Sequence, residues 1–202
     1  MLTIAWDIDD VLNDLMRAWL HEEWLPAHSE CPLRYADITE NPPHRALGVS
    51  KSAYFESLDS YRLSPKAREL RPTPEIMEWL RAYGQLCMHI ALTSRPLQSM
   101  PSLAEWVFRH FGAYIRVLAV VPVRLGPEAP VYHEGKGGFL QWLGRADVLV
   151  DDAQENVEAA GKAGVRGILF PQPWNGNRST VADTLTLLRE VIAQKSEDGV
   201  RK

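Results

Sequence analysis

Two short acidic runs stand where this sequence could do chemistry. Asp7-Ile8-Asp9-Asp10-Val11-Leu12 follows the apolar run Leu2–Trp6, and Asp151-Asp152 follows Val148–Val150. In extended chain, residues i and i+2 point the same way, roughly 6.5 Å apart, so Asp7 and Asp9 are expected to face one point. If both runs end strands of one parallel sheet, four carboxylates converge. Two carboxylates about 4 Å apart repel by ~4 kcal/mol at an effective dielectric of 20. A fold gathers such charges around a counter-ion, and a hard divalent cation with oxygen ligands, Mg2+ first, suits them. Either pair alone reads as helix capping, and Asp10 or Asp14 taken singly still does. An EF-hand is excluded, because Val11 would have to supply an oxygen ligand and Leu12 would have to be glycine.

A carboxylate beside such an ion can attack phosphorus and form an aspartyl phosphate. A second one two residues on can protonate the leaving oxygen and then deprotonate water. The phosphoryl oxygens need a hydroxyl and a cation. Thr93 and Ser94, after the run Cys87–Leu92, supply hydroxyls, and Lys136 in Gly135-Lys136-Gly137-Gly138 supplies the cation, with Arg124 as its rival. Taken alone, Thr93-Ser94 is a helix-start loop and Lys136 a solvated lysine.

These residues need a scaffold. Leu2–Trp6, Cys87–Leu92, Val117–Val121, Val148–Val150 and Gly167–Phe170 read as buried strands. Between and after them, Glu75–Tyr83, Leu103–Phe111, Gln154–Ala163 and Thr180–Gln194 read as amphipathic helices. This alternation predicts an α/β fold, a parallel sheet flanked by helices on both faces. Residues 13–71 break it: a helical, Trp-rich stretch Leu15–Leu25, loops bearing Pro and His, then Ala53–Leu58, closed by Pro72 and Pro74. They are expected to form a small helical insertion over the carboxyl ends of the strands, where ligand sites of open α/β folds lie. The tail 196–202 is polar and expected to fray.

Composition narrows the function. The chain has 202 residues, 46% hydrophobic, with net charge −4 and no long basic run, which argues against a nucleic-acid polymer as partner. Two cysteines are too few for a disulfide framework and fit a reducing cytosol. The N-terminus turns acidic at Asp7, unlike a signal peptide. No apolar run nears the roughly 20 residues that span a bilayer, so neither a membrane nor an extracellular setting is expected, and the cytoplasm is. The histidines are scattered, which argues against zinc. No Gly-x-x-x-x-Gly-Lys-Ser/Thr or Gly-x-Gly-x-x-Gly run suggests an ATPase or a dinucleotide enzyme. Trp19, Trp79, Trp106 and Trp142 read as core. Trp24, Tyr54 and Phe55 read as packing within the insertion, with contact to a base or an apolar leaving group as the other role.

In four ordered motifs the chain resembles the haloacid dehalogenase-like (HAD) hydrolase superfamily. The resemblance covers residues 1–12 and 72–195 as catalytic core, with 13–71 as a helical cap. It implies Asp7 as nucleophile, Asp9 as general acid/base, Thr93 and Lys136 on the phosphoryl group, and Asp7, Asp9 (through its backbone carbonyl), Asp152 and Asp151 around Mg2+, with Asp152 preferred to Asp151 as direct ligand. Tyr35-Ala36-Asp37-Ile38-Thr39-Glu40 and Phe170-Pro171-Gln172-Pro173-Trp174-Asn175 are more loosely similar to the 5′(3′)-deoxyribonucleotidase branch. The expected function is a magnesium-dependent phosphomonoesterase acting on a small phosphorylated substrate, with (deoxy)nucleoside monophosphates first. Sugar phosphates, other small phosphometabolites or a phosphomutase are the alternatives. A dehalogenase would not need Asp9, and a non-catalytic binding protein would not need all four motifs. Ser94 and Arg95 are the expected substrate-binding residues, Arg95 meeting an extra negative charge or a polar edge.

Overall fold

The structure is a computed structural model. It describes residues 1–121, 123, 128 and 130–200, with side chains described up to residue 195. Strand β1, Leu2–Trp6, is buried at every position. It pairs in parallel with β2, Cys87–Thr93, on one side and with β4, Val148–Asp151, on the other. The edges are β3, Ile115–Val120, beside β2 and β5, Arg166–Leu169, beside β4. The order is β3-β2-β1-β4-β5, all parallel, as the strand–helix alternation predicts. Chain order changes direction at β1, so the crevice at its carboxyl end is where such sheets bind ligands.

A period of two sends alternate side chains of each central strand to opposite faces. Leu2, Ile4 and Trp6 join Val148 and Val150 in one apolar cluster. Helices α5 (Pro74–Tyr83), α6 (Met100–Phe111) and α9 (Val181–Val200) cover it through Trp79, Trp106 and Leu188. Ala5 and Leu149 face a smaller cluster under α7 (Gly135–Leu143) and α8 (Gln154–Lys162). Two sequence expectations change. Strand β3 is not buried throughout: it is an edge, and Val117 is exposed. Trp142 is not core; it is 70% exposed near the end of α7, in tilted ring contact with His133 and Phe139. Helix α9 runs to Val200, into the segment expected to fray, and residues 201 and 202 lie outside the described residues.

Between β1 and β2, residues 13–71 form helices α1 (Leu15–Trp19), α2 (Leu25–Ala27), α3 (Lys51–Leu63) and α4 (Pro65–Arg68), with a π-helical turn Leu20–Trp24 joining the first two. Ser50 and Ser64 cap α3 and α4 by accepting from the backbone N–H of Ala53 and Ala67. Helix α3 turns Tyr54, Leu58 and Tyr61 inward, a helical spacing, onto Trp19 and Trp24. Where the segment begins and ends, Asn13 and Pro72 form an isolated antiparallel bridge, and Thr73 Oγ1 donates to the Val11 carbonyl at 2.6 Å. No helix among the described residues is long and apolar enough to cross a membrane.

Candidate active site

Strand β1 delivers Asp7, whose N–H continues the ladder to the Val150 carbonyl at 2.9 Å. The chain then winds into a π turn, Ile8–Leu12, closed by Asn13 N–H on the Ile8 carbonyl. Within it Asp9 is extended and Asp10 is left-handed, at φ 62°. Aspartate tolerates that region because its short side chain bonds locally. Here Asp10 Oδ1 accepts from Met16 N–H at 2.8 Å, fixing the start of α1. The winding has a consequence that an extended reading of Asp7-Ile8-Asp9 misses. The two carboxylates line one cavity but take different partners, and four carboxylates do not gather at one point.

Asp7, Asp151 and Asp152 do gather. All three are buried, and one oxygen of each lies within 4.8 Å of the others. Parallel pairing brings this about, since β1 and β4 are neighbours and end on the same side. Lys136, 2% exposed, reaches in from the first turn of α7, with Nζ 2.6 Å from Asp7 Oδ1 and 2.7 Å from Asp151 Oδ2. Asp151 Oδ1 accepts from Ala153 N–H and Asn156 Nδ2, both at 3.0 Å. Asp152 Oδ2 accepts from Trp174 Nε1 at 2.8 Å. Burial, then Asp151 and Asp152, push the Asp7 carboxyl well above its usual range against the pull of Lys136. Burial, then Asp151 and Asp10, raise Asp152 to about 8. Lys136 is shifted up, because Asp151 and Asp7 outweigh the desolvation that alone would lower it.

Three buried carboxylates therefore face one ammonium. That excess of negative charge, all on oxygen donors, fits a hard divalent cation. Asp7, Asp151 and Asp152 could hold it. The Asp9 side chain stands outside the trio.

Asp9 instead sits between two guanidinium groups. Arg95 Nε lies 2.9 and 2.8 Å from its two oxygens, Arg95 Nη2 also contacts Oδ1, and Arg62 Nη2 lies 2.9 Å from Oδ2. Burial alone would raise the Asp9 carboxyl, yet Arg95 and Arg62 bring it down to about 2. Thr93, ending β2, is 1% exposed, and its Oγ1 accepts from Arg95 N–H at 3.3 Å. A cavity of about 150 Å³ opens beside these groups, lined by Asp7, Asp9, Thr93, Ser94, Arg95 and Lys136 from the sheet side and by Tyr54, Phe55 and Arg62 from α3.

The structure thus brings Asp7, Asp9, Thr93, Ser94, Arg95 and Lys136 to one cavity and places Asp151 and Asp152 behind Asp7. Lys136 stands beside Asp7; its rival Arg124 lies outside the described residues. The two runs set apart in sequence, at 35–40 and 170–175, also meet. Tyr35 Oη donates to Gln172 Oε1 at 2.6 Å, Gln172 Nε2 donates to the Asp10 carbonyl at 2.5 Å, and Asn175 Nδ2 donates to the Asp152 carbonyl at 2.8 Å. Sequence reasoning missed Arg62 and Asn156. Asn156 had a signal, five residues after Asp151 on the helix that follows its strand. Arg62 had none, since only the fold of α3 over the sheet points it at Asp9.

Solved structures were compared with this one. A haloacid dehalogenase-like family hydrolase from Streptococcus pneumoniae matches with a TM-score of 0.56 at 15% identity, covering 91% of this chain and 90% of its own. Another, from Xanthomonas campestris, gives 0.56 at 12% identity and covers 98% of each chain. A 2-haloacid dehalogenase from Pseudomonas syringae gives 0.51 at 17% identity, over 96% of this chain and 99% of its own. No protein-family model and no curated protein matches the chain. A likeness at such identities is one of fold, and the fold of this chain is that of the haloacid dehalogenase-like hydrolases.

Proposed function

We propose that the protein is a magnesium-dependent phosphomonoester hydrolase that works through an aspartyl phosphate on Asp7. The observation that carries this reading is the setting of Asp7: a buried strand-end carboxylate on a cavity, with Lys136 at 2.6 Å and Asp151 and Asp152 behind it. A magnesium ion held by Asp7, Asp152 and the Asp9 carbonyl, with Asp151 supporting, would neutralise charge on the phosphoryl oxygens.

Asp7 attacks phosphorus and the bond to the leaving oxygen breaks; Asp9, ionised while Arg95 and Arg62 hold it, must leave them and take up a proton from solvent before it gives one to that oxygen. Water then attacks the phosphorus, Asp9 takes the water's proton, and the bond to Asp7 breaks to release phosphate. Thr93 Oγ1 already accepts from Arg95 N–H, so its own hydrogen is available to a phosphoryl oxygen. Lys136 offsets the charge that builds there. Residues 13–71 act as a cap over the core of residues 1–12 and 72–195, opening to admit substrate and closing to exclude water. A cytoplasmic setting belongs to the same reading, supported by two unpaired cysteines.

The resemblance in sequence puts (deoxy)nucleoside monophosphates first. The cavity favours the other reading, a small phosphometabolite, because about 150 Å³ is below the ~300–1,000 Å³ of sites for drug-sized ligands. A phosphate-release screen over nucleotides, sugar phosphates and phosphorylated acids, with and without chelator, tests the proposal. Turnover that needs Mg2+ and is lost in Asp7→Asn supports it. Halide release from haloacids with no phosphate release from any monoester would replace it with a dehalogenase, and net phosphoryl shift within one molecule with a mutase.

A further inference from the structure

We infer that the substrate carries a carboxylate beside its phosphoryl group, and that Arg62 and Arg95 bind this carboxylate where they hold Asp9 in the structure. The inference rests on the phosphohydrolase reading and names the substrate class of that site.

The first ground is geometric. Arg95 and Arg62 already surround a carboxylate, Arg95 meeting both Asp9 oxygens and Arg62 meeting one. A planar fork closing on two oxygens is how arginine recognises carboxylates. The cluster is therefore shaped for such a group, which takes the seat once Asp9 turns out of it.

The second ground is an unmatched donor. Arg62 gives Nη1 to Asp59 at 2.8 Å and Nη2 to Asp9, while its buried Nε has no hydrogen-bond partner among the described residues. A buried N–H left unpaired is costly, and more so on a charged group. Arg62 lines the cavity, and an additional oxygen that reached Nε once Asp9 moves would satisfy it.

The third ground is charge. To reach the leaving oxygen, Asp9 must turn away from the guanidinium groups. Arg95 is 4% exposed and the Arg62 side chain 13%, so little solvent reaches either guanidinium in exchange for Asp9. With Asp9 gone, Arg62 keeps Asp59 while Arg95 loses the carboxylate it holds, and a neutral leaving group would leave that charge standing. A substrate carboxylate replaces the anion that Asp9 removes. It also joins the two sides of the site, since Arg62 lies on α3 and Arg95 on the loop after β2, so the bound acid draws the helical segment onto the sheet. The cavity's small volume limits the spacer to a few carbons.

The test compares phosphorylated hydroxyacetate, 3-hydroxypropanoate and 4-hydroxybutanoate with the monophosphates of the diols of equal length, and with the bisphosphates of those diols. With the full chain and Mg2+, at least one phosphorylated acid should exceed its diol partner in kcat/KM by roughly 100-fold, the size of lost charged hydrogen bonds. In Arg62→Met that ratio should collapse mainly through KM, and Arg62→Lys should restore part of it. Equal turnover of acids and diols by the wild type, or a ratio unchanged in both variants, would overturn the inference while the phosphohydrolase reading stands. Faster turnover of the bisphosphates would overturn the carboxylate in favour of a second phosphate. If p-nitrophenyl phosphate and every compound in the panel resist hydrolysis, the phosphohydrolase reading itself fails. Calorimetry then still decides the inference: phosphorylated hydroxyacetate must bind the wild type at least tenfold more tightly than its diol partner, or the seat is not a carboxylate site.

Discussion

Asp7 and Asp9, two residues apart, live in opposite electrostatic surroundings. Asp7 sits among carboxylates with one ammonium for relief, whereas Asp9 sits between two guanidinium groups. Pushing two carboxyls apart in this way is how one site obtains separate roles from one side-chain type. Asp7→Asn keeps shape and removes the proposed nucleophile. Phosphate release should fall by about 10³-fold or more, with the unfolding midpoint at or above that of the wild type, since a buried repulsion is relieved. Near-normal turnover would remove Asp7 from the mechanism. Asp10 carries backbone duties: its left-handed φ, the bond to Met16 N–H, and the carbonyl that takes Gln172. Asp10→Ala should cost roughly 1–3 kcal/mol in urea unfolding, because the conformation is strained without a local side-chain bond. Asp10→Asn should cost clearly less.

At the scale of elements, helix α7 decides where Lys136 goes. Gly137 is the contact point with α8: a Cβ there would stand 2.7 Å from Ala159 Cβ and 3.0 Å from its carbonyl oxygen. One turn of α7 can therefore approach α8 closely enough for Lys136 to reach Asp7 and Asp151. Gly137→Ala should destabilise by about 1–3 kcal/mol through overpacking and lower activity by displacing Lys136. At Gly138 a Cβ would meet nothing closer than 3.7 Å, so Gly138→Ala should stabilise by up to about 1 kcal/mol through helix propensity alone. Paired urea melts and turnover assays check both, and equal effects at the two glycines would refute the packing argument. Strand β2 carries a second device. His89 Nδ1 accepts from Trp6 Nε1 at 3.0 Å, so its Nε2 bears the hydrogen donated to the Gly84 carbonyl at 2.8 Å. Burial holds the ring neutral and its pKa below the usual histidine value. A lowered folded pKa means that this contribution is complete above the unfolded pKa of about 6.5 and is lost as pH falls below it. Unfolding free energy should decline from pH 7 to 5, and the part due to His89, at most about 1.4 kcal/mol per pH unit, should vanish from the slope in His89→Asn.

For the whole molecule, the site is a seam between the sheet and the segment of residues 13–71. Arg62, Tyr54 and Phe55 come from one side, and Asp7, Thr93 and Lys136 from the other. Tyr35 bonded to Gln172 ties the same two parts beyond the cavity. A cation bound to Asp7 and Asp152 should stabilise this assembly by mass action. At about 100 times its dissociation constant, Mg2+ should add ~2.7 kcal/mol, which for a chain of this size raises Tm by roughly 5–10 °C. Chelator should remove the shift together with turnover, and Asp152→Asn should abolish it. A Tm indifferent to Mg2+ in a wild type that still turns over with chelator present would exclude the metal site.

The residues at the ends of β1, β2 and β4 that line the candidate site and the sheet that holds them were legible in the sequence, because both depend on local pattern. Apolar runs of strand length mark β1, β2 and β4, and polar residues follow where buried strands meet solvent or a ligand. Parallel pairing then obliges Asp7, Thr93 and Asp151 to end on one side. Helix α7 was not legible, since Gly135, Gly137 and Gly138 disfavour a helix on propensity and only packing against α8 selects it. The exposure of Trp142 and Val117 was hidden for a related reason: an apolar residue at a plausible spacing carries no mark of whether a neighbour covers it. Above all, sequence placed Asp9 beside Asp7 and could go no further. The turn that begins at Ile8 parts the two carboxylates, and the reach of Arg62 from residues far along the chain gives Asp9 its partners. Which side chains meet across such a sequence separation is settled by tertiary packing, because no local preference connects them.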